Sequence, residues 1–195
     1  MENLNLTYQQ AQELIDKYIS EPTTKFHLKE TEVFMRALAK KFNENEESWG
    51  IIGLLHDIDW DIIKNNPSEH CIKLQEILKN AGASDFLIET IASHGYEVEA
   101  IPNLLEKRRS SQIQYCLASA ETLTGIIIAS ALVRPDKKLQ SVTLDSLKKK
   151  FKNKSFAANC NRDIILECEK AGISLDEFLQ IGLSSLQSIA EELKL

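Results

Sequence analysis

Glycine and proline are scarce, seven and four in a chain of 195 residues, and no stretch alternates apolar with polar side chains long enough to make a half-buried strand. A sheet needs turn residues at close intervals and a period of two, so these shortages exclude it and predict an all-α fold. Nor does any segment approach the roughly 18 uninterrupted apolar residues of a membrane span. The first residues, Met1-Glu2-Asn3-Leu4-Asn5, lack the basic and apolar regions of a secretory leader, so the expected location is cytoplasmic. The four cysteines, Cys71, Cys116, Cys160 and Cys168, include no C-x-x-C pair. Without a leader they read as reduced, mostly buried thiols, neither a disulfide framework nor a thiolate metal site. Lysine and arginine are outnumbered, 23 to 29, for a net charge of −6. That excludes a general binder of nucleic-acid polymers, while a local basic patch could still hold a phosphate.

The composition present, 43% hydrophobic and 27% charged, is that of an ordinary globular protein with one well-cored domain. Apolar side chains recur at helical spacing along most of it. Thr7 caps a helix over 8–20, which Glu21-Pro22-Thr23-Thr24 ends. A second helix runs from His27 to Phe42, and a third carries Trp49, Ile52 and Leu55 towards His56 and Asp57. Residues 58–67 read as irregular, followed by helices over 69–80 and from Ser84 to about His94. Residues 95–109 read as a loop, and a loop of that length directly after a candidate ligand tends to be functional. The most apolar helix, 110–132, is predicted to be central. The boundaries expected are a core of residues 1–135 and a helical C-terminal extension of 136–195 packed on it in one compact unit.

The chain has only four histidines, His27, His56, His70 and His94, each near the end of an apolar-periodic segment. In Leu54-Leu55-His56-Asp57-Ile58-Asp59 an apolar run ends in an imidazole beside a carboxylate. Burying that charge is costly without a counter-charge, and a divalent cation is one good compensation. The intervals from His27 to His56, Asp57 to His70, His70 to His94 and His94 to Glu121 are 29, 13, 24 and 27 residues. Such gaps are too long for a local finger and suit a bundle in which successive helices each deliver one ligand. Four imidazoles and two carboxylates exceed what one cation needs and suit two cations bridged by a carboxylate. Imidazole with carboxylate favours a transition metal, Fe or Mn first, with Co, Ni or Zn possible, over Mg or Ca.

This set of residues resembles the HD-domain superfamily of metal-dependent phosphohydrolases, over roughly residues 20–135. In that pattern a lone His (His27) precedes a His-Asp pair (His56, Asp57), then two more His (His70, His94) and a distant Asp. Here Ala120-Glu121-Thr122-Leu123-Thr124-Gly125 puts Glu121 at the last position, longer by one methylene. The resemblance implies that His27, His56, Asp57 and Glu121 hold a first ion, that Asp57 bridges, and that His70 and His94 hold a second. It implies an HD-type helical bundle and hydrolysis of a small phosphorylated metabolite, such as a nucleotide, with His56 and Asp57 at the catalytic centre. Alternatives are a dinucleoside polyphosphate or cyclic nucleotide hydrolase, a di-iron oxygenase, and a regulatory module without turnover.

A substrate phosphate needs cations beyond the metals. Arg108 and Arg109, Arg134, and Lys154 at the end of the run that starts at Lys148 are the candidates for substrate binding. That run is otherwise a solvated helix face. Asp59 and Asp61 read as capping or solvated groups, with Asp59 the one placed to orient a ligand's second nitrogen. Trp60 reads as a rim aromatic able to stack on a base. Oligomeric state and substrate identity are not encoded in any motif.

Overall fold

Most of the helix starts that the sequence marks with a short polar residue are built as caps. The computed structural model describes residues 3–195; Met1 and Glu2, the start of the stretch read above for a leader, lie outside them. Helix α1 (Tyr8–Tyr18) opens with a capping box in which Thr7 and Gln10 bond each other's backbone N–H. Helix α2 (Pro22–Phe42) starts at Pro22 rather than at His27, so His27 lies in its second turn. The reason is that Pro at the first helical position has no N–H to waste. The cap comes from Asp61, whose carboxylate accepts the backbone N–H of Ser20 and Glu21 at 2.7 and 2.9 Å and the Thr24 hydroxyl at 2.9 Å.

Helix α3 (Glu46–Leu55), capped by Asn45, runs against α2. A side chain at Gly53 would put its Cβ 2.7 Å from the Thr31 carbonyl oxygen, so only glycine allows this approach. Residues 58–67 contain a short helix, α4 (Trp60–Ile63), held in place partly by the Asp61 contacts. A 3-10 turn, Pro67–Glu69, precedes α5 (Ile72–Asn80). That helix starts later than expected because Cys71 adopts φ +61° and breaks it from the turn. Then come α6 (Asp85–Ala92), capped by Ser84, and α7 (Gln112–Leu132). The remaining elements are α8 (Leu144–Lys152), α9 (Arg162–Leu166), α10 (Leu175–Gln187) and α11 (Ala190–Leu193). Among the described residues there is no strand, and the all-α fold stands.

Helix α7 is long and apolar enough to cross a membrane by length and composition, yet most of it is buried inside this fold. It packs against α2, α3, α6, α8, α9 and α10. The C-terminal helices share its core: α10 lies on α2 and α7, with the Phe34 and Phe178 rings 4.8 Å apart and both side chains fully buried. Burial of the Phe178 ring alone contributes about 1.5–3 kcal/mol.

Candidate metal centre

Five of the residues singled out in the sequence come together where four helix ends meet. His27 projects from α2, and His56 caps the C-terminus of α3 with Asp57 next to it. His70 follows the Pro67–Glu69 turn, and His94 lies in a 3-10 turn, Ser93–Gly95, that continues α6. Asp57 sits at the middle. One of its oxygens is 3.5, 3.3 and 3.2 Å from the Nε2 atoms of His56, His70 and His94, and the other is 3.6 Å from Nε2 of His27. The imidazoles pair: His27 and His56 have their Nε2 atoms 3.0 Å apart, and His70 and His94 have theirs 2.9 Å apart.

The far nitrogen of each ring decides what these contacts mean. His56 Nδ1 lies 2.8 Å from the Gly53 carbonyl and His94 Nδ1 2.7 Å from the Ile91 carbonyl. Both carbonyls lie in the last turn of a helix and can only accept, so each Nδ1 carries the proton. His70 Nδ1 donates to Asp59 at 2.9 Å. Thr124 spends its hydroxyl proton on the Glu121 carbonyl, so its oxygen accepts from His27 Nδ1 at 3.2 Å. In neutral rings all four Nε2 atoms are then bare lone pairs, facing one another and a carboxylate.

Such a cluster of acceptors is repulsive unless cationic charge enters it. A metal bonded at about 2.1 Å sets neighbouring ligand atoms about 3.0 Å apart in an octahedron and about 3.4 Å apart in a tetrahedron. The observed separations of 2.9–3.6 Å bracket those values within about 0.2 Å, so the residues could hold a metal. Two compact groups of ligand atoms are present, His27–His56–Asp57 and His70–Cys71–His94. Each nitrogen is also fixed from behind, as metal-bound imidazoles are.

The ionisation of the metal-free chain agrees. Burial raises the carboxyl of Asp57, but the surrounding imidazoles, His56 first, outweigh it and hold it well below its ordinary value. Burial pushes His56 down to about 3. Burial also acts against charge on His70 and His94, yet both are raised, His70 by Asp57 and Asp59 and His94 by Cys71 and Asp57. Protons on these rings balance the carboxylate, and an entering cation displaces them.

Glu121 lines the same cavity but belongs to neither compact group of ligand atoms. Its Oε1 accepts the Thr122 hydroxyl at 2.5 Å, and burial, partly offset by His94, raises its carboxyl. Asp59 is fully buried and orients His70 from behind. Trp60 stands edge-on to His70 at the rim, 38% exposed.

None of the four cations expected to hold substrate is among the described residues that line the cavity in front of the centre. Arg109 is buried and fully engaged: it bonds Glu167 at 2.5 Å, the Ser93 and Tyr96 carbonyls at 2.9 and 2.8 Å, and Glu97 at 3.3 Å. Its work is to fasten the turn that carries His94. Arg108 pairs with Glu97 on the surface, and Arg134 pairs with Asp136 beyond the end of α7. Lys154 is exposed and lines a second depression, which shares Asn159, Cys160 and Asn161 with the cavity in front of the centre. Charge is legible in a sequence, but direction is not.

The cavity in front of the centre measures about 710 Å³, and its described lining contains no Lys or Arg. Its far wall includes Asn159, Cys160, Asn161 and Ile164, from the third of the chain in which no motif was found. Cys71 was also missed as a neighbour of the centre, although its place next to His70 was the available signal. Comparison with protein-family models, with curated proteins and with solved structures gave no match; the site is therefore read from its own geometry.

Proposed function

We propose that this protein is a metal-dependent phosphohydrolase of the HD type, acting on a small phosphorylated metabolite. The observation that carries the reading is the convergence of four Nδ1-protonated imidazoles on one carboxylate, in a cavity about 710 Å³ in volume. His27, His56 and Asp57 would hold one divalent ion, with His70 and His94 holding a second through the other face of Asp57. Such ions lower the pKa of water to near neutral and polarise a phosphoryl oxygen.

The chain's own residues do the rest. Asp59, Thr124 and the Gly53 and Ile91 carbonyls keep the ligating nitrogens deprotonated and aimed. Trp60 lines the cavity at its rim, where an indole can pack against a base or another ring. Since the described wall supplies Glu97, Glu99 and Glu121 and no cationic side chain, it suits a substrate with one phosphoryl group at the ions better than a polyphosphate chain. A nucleoside monophosphate meets both conditions.

The test is elemental analysis of protein purified without chelator, followed by a phosphate-release screen of nucleotides and sugar phosphates with added Mn. Outer partners of a metal site are worth about 10–100-fold in affinity, so Asp57→Ala should lose more than that and turnover should fall to background. Full turnover by Asp57→Ala, or a purified protein without transition metal that also fails to bind any, would refute the reading.

A further inference from the structure

We propose that Cys71 is a ligand of the second ion, which makes the two halves of the centre chemically different. This rests on the metal-binding reading above and overturns the expectation that all four cysteines are inert. The Cys71 Sγ lies beside the His94 ring, 3.5 Å from Nε2 and 3.9 Å from Nδ1, and belongs with His70 and His94 to one compact group of ligand atoms, so sharing an ion takes a turn of that ring. An ion bonded to sulfur at about 2.3 Å and to nitrogen at about 2.05 Å in a tetrahedron separates the two by about 3.6 Å.

The backbone is arranged around this thiol. Cys71 is fully buried with φ +61° and ψ −12°, a left-handed conformation that a residue with a Cβ keeps only where its surroundings impose it. Asp59 imposes it, accepting the N–H of Cys71 and of Leu74 at 3.0 Å each while its other oxygen holds His70. One carboxylate thus sets both the sulfur and the neighbouring imidazole. Opposite them, a Cβ on Gly95 would lie 2.7 Å from the Cys71 sulfur, so the missing side chain there leaves the thiol its slot. A cysteine present only as filler needs none of this. Cys116, in the second turn of α7, has ordinary helical backbone.

The consequence is an unsymmetric pair. Sulfur and two imidazole nitrogens form the second group, a soft donor set that would select a thiophilic ion such as Zn²⁺ over Mn²⁺ or Mg²⁺. The His27–His56–Asp57 group offers three donors, and His27 is the most open of the four imidazoles, with 29% of its side chain exposed. Positions for substrate therefore lie at the His27 end. On coordination the thiol proton passes to solvent.

The experiment is reconstitution of the full chain with Co²⁺, read by absorption, with X-ray absorption of the Zn²⁺ form. Wild type should show a thiolate-to-cobalt charge-transfer band and a sulfur scatterer at the zinc. Cys71→Ser should lose both and bind zinc at the second site at least about 10-fold more weakly, an inner ligand counting for no less than an outer one. Cys71→Gly, which suits the positive φ, should fold at least as well without metal and also lack the band. Cys160 lines the cavity too, so Cys160→Ser is the control and should keep it. A band that survives in Cys71→Gly, or vanishes in Cys160→Ser, overturns the proposal, as would two bound ions without sulfur in wild type. Absence of any cobalt uptake would instead sink the metal centre itself.

Discussion

Replacing Asp59 tests the logic of the centre more sharply than replacing a ligand. Its carboxylate is fully buried and holds three donors: His70 Nδ1 at 2.9 Å, and the N–H groups of Cys71 and Leu74 at 3.0 Å each. Asp59→Ala strands all three. A buried donor left without a partner costs about 1–3 kcal/mol, and breaking one side of a buried ionic contact about 3–5 kcal/mol. The metal-free variant should therefore lose about 3–5 kcal/mol in urea denaturation, a large part of the stability of an ordinary domain. Asp59→Asn separates the two roles. One amide oxygen can still accept both backbone N–H groups, since a single oxygen of Asp59 does so now, and the loss should be about 1 kcal/mol. The amide NH₂ then faces His70 and turns its Nδ1 into an acceptor. The proton moves to Nε2, where the lone pair for the second ion has to be. Calorimetric metal titration should show one site weakened about 10–100-fold and the His27–His56 site nearly unchanged. If Asp59→Asn binds both ions as tightly as wild type, the tautomer argument fails.

Two further predictions concern the supports. Arg109→Met should cost about 3–5 kcal/mol in denaturation and weaken the His94 site, because Arg109 ties Glu167 to the Ser93 and Tyr96 carbonyls; Arg109→Lys should recover little of it, lacking the planar fork. A loss under about 1 kcal/mol would show these bonds to be incidental. Burial alone would raise the carboxyl of Asp61, but the N–H groups of Glu21 and Ser20 and the Thr24 hydroxyl outweigh it and hold it below its ordinary value of 3.8. A depressed carboxyl adds stability above its unfolded value and loses it as pH falls through the folded one. Asp61→Asn should thus be about 1 kcal/mol less stable at pH 7, and urea midpoints should converge with wild type well below about pH 4; a gap independent of pH would refute the linkage.

Local chemistry decided much of the fold, so much of it was legible. Thr7 and Ser84, the polar residues read as helix starts, each cap the helix that follows, and the apolar run in α7 marks the core. The errors fall where a distant partner overrides the local signal. Pro22 reads as a helix breaker until Asp61, about 40 positions away, satisfies the backbone around it. His70 and Cys71 lie in a stretch that reads as helix, and Asp59 bends it out of register through side-chain bonds the pattern does not contain. The join between α10 and α2, made by Phe178 on Phe34 over Gly182, leaves no composition shift to find.

At the site, scarcity was the useful signal. With four imidazoles in the chain and each near the end of a predicted helix, convergence could be expected before any coordinates. What sequence could not carry was the partner of each Nδ1. A backbone carbonyl behind His56 and His94 comes from helix ends closing three residues upstream, whereas Asp59 behind His70 and Thr124 behind His27 come from tertiary contact. These four partners turn polar neighbours into a set of outward-facing lone pairs. The three arginines predicted from sequence are paired with Glu97, Glu167 and Asp136, and in the metal-free chain the charge that balances Asp57 is carried by protons on His70 and His94. The donors stand 2.9–3.6 Å apart, and that spacing, set by the partner behind each ring, is what makes the group able to hold a metal ion.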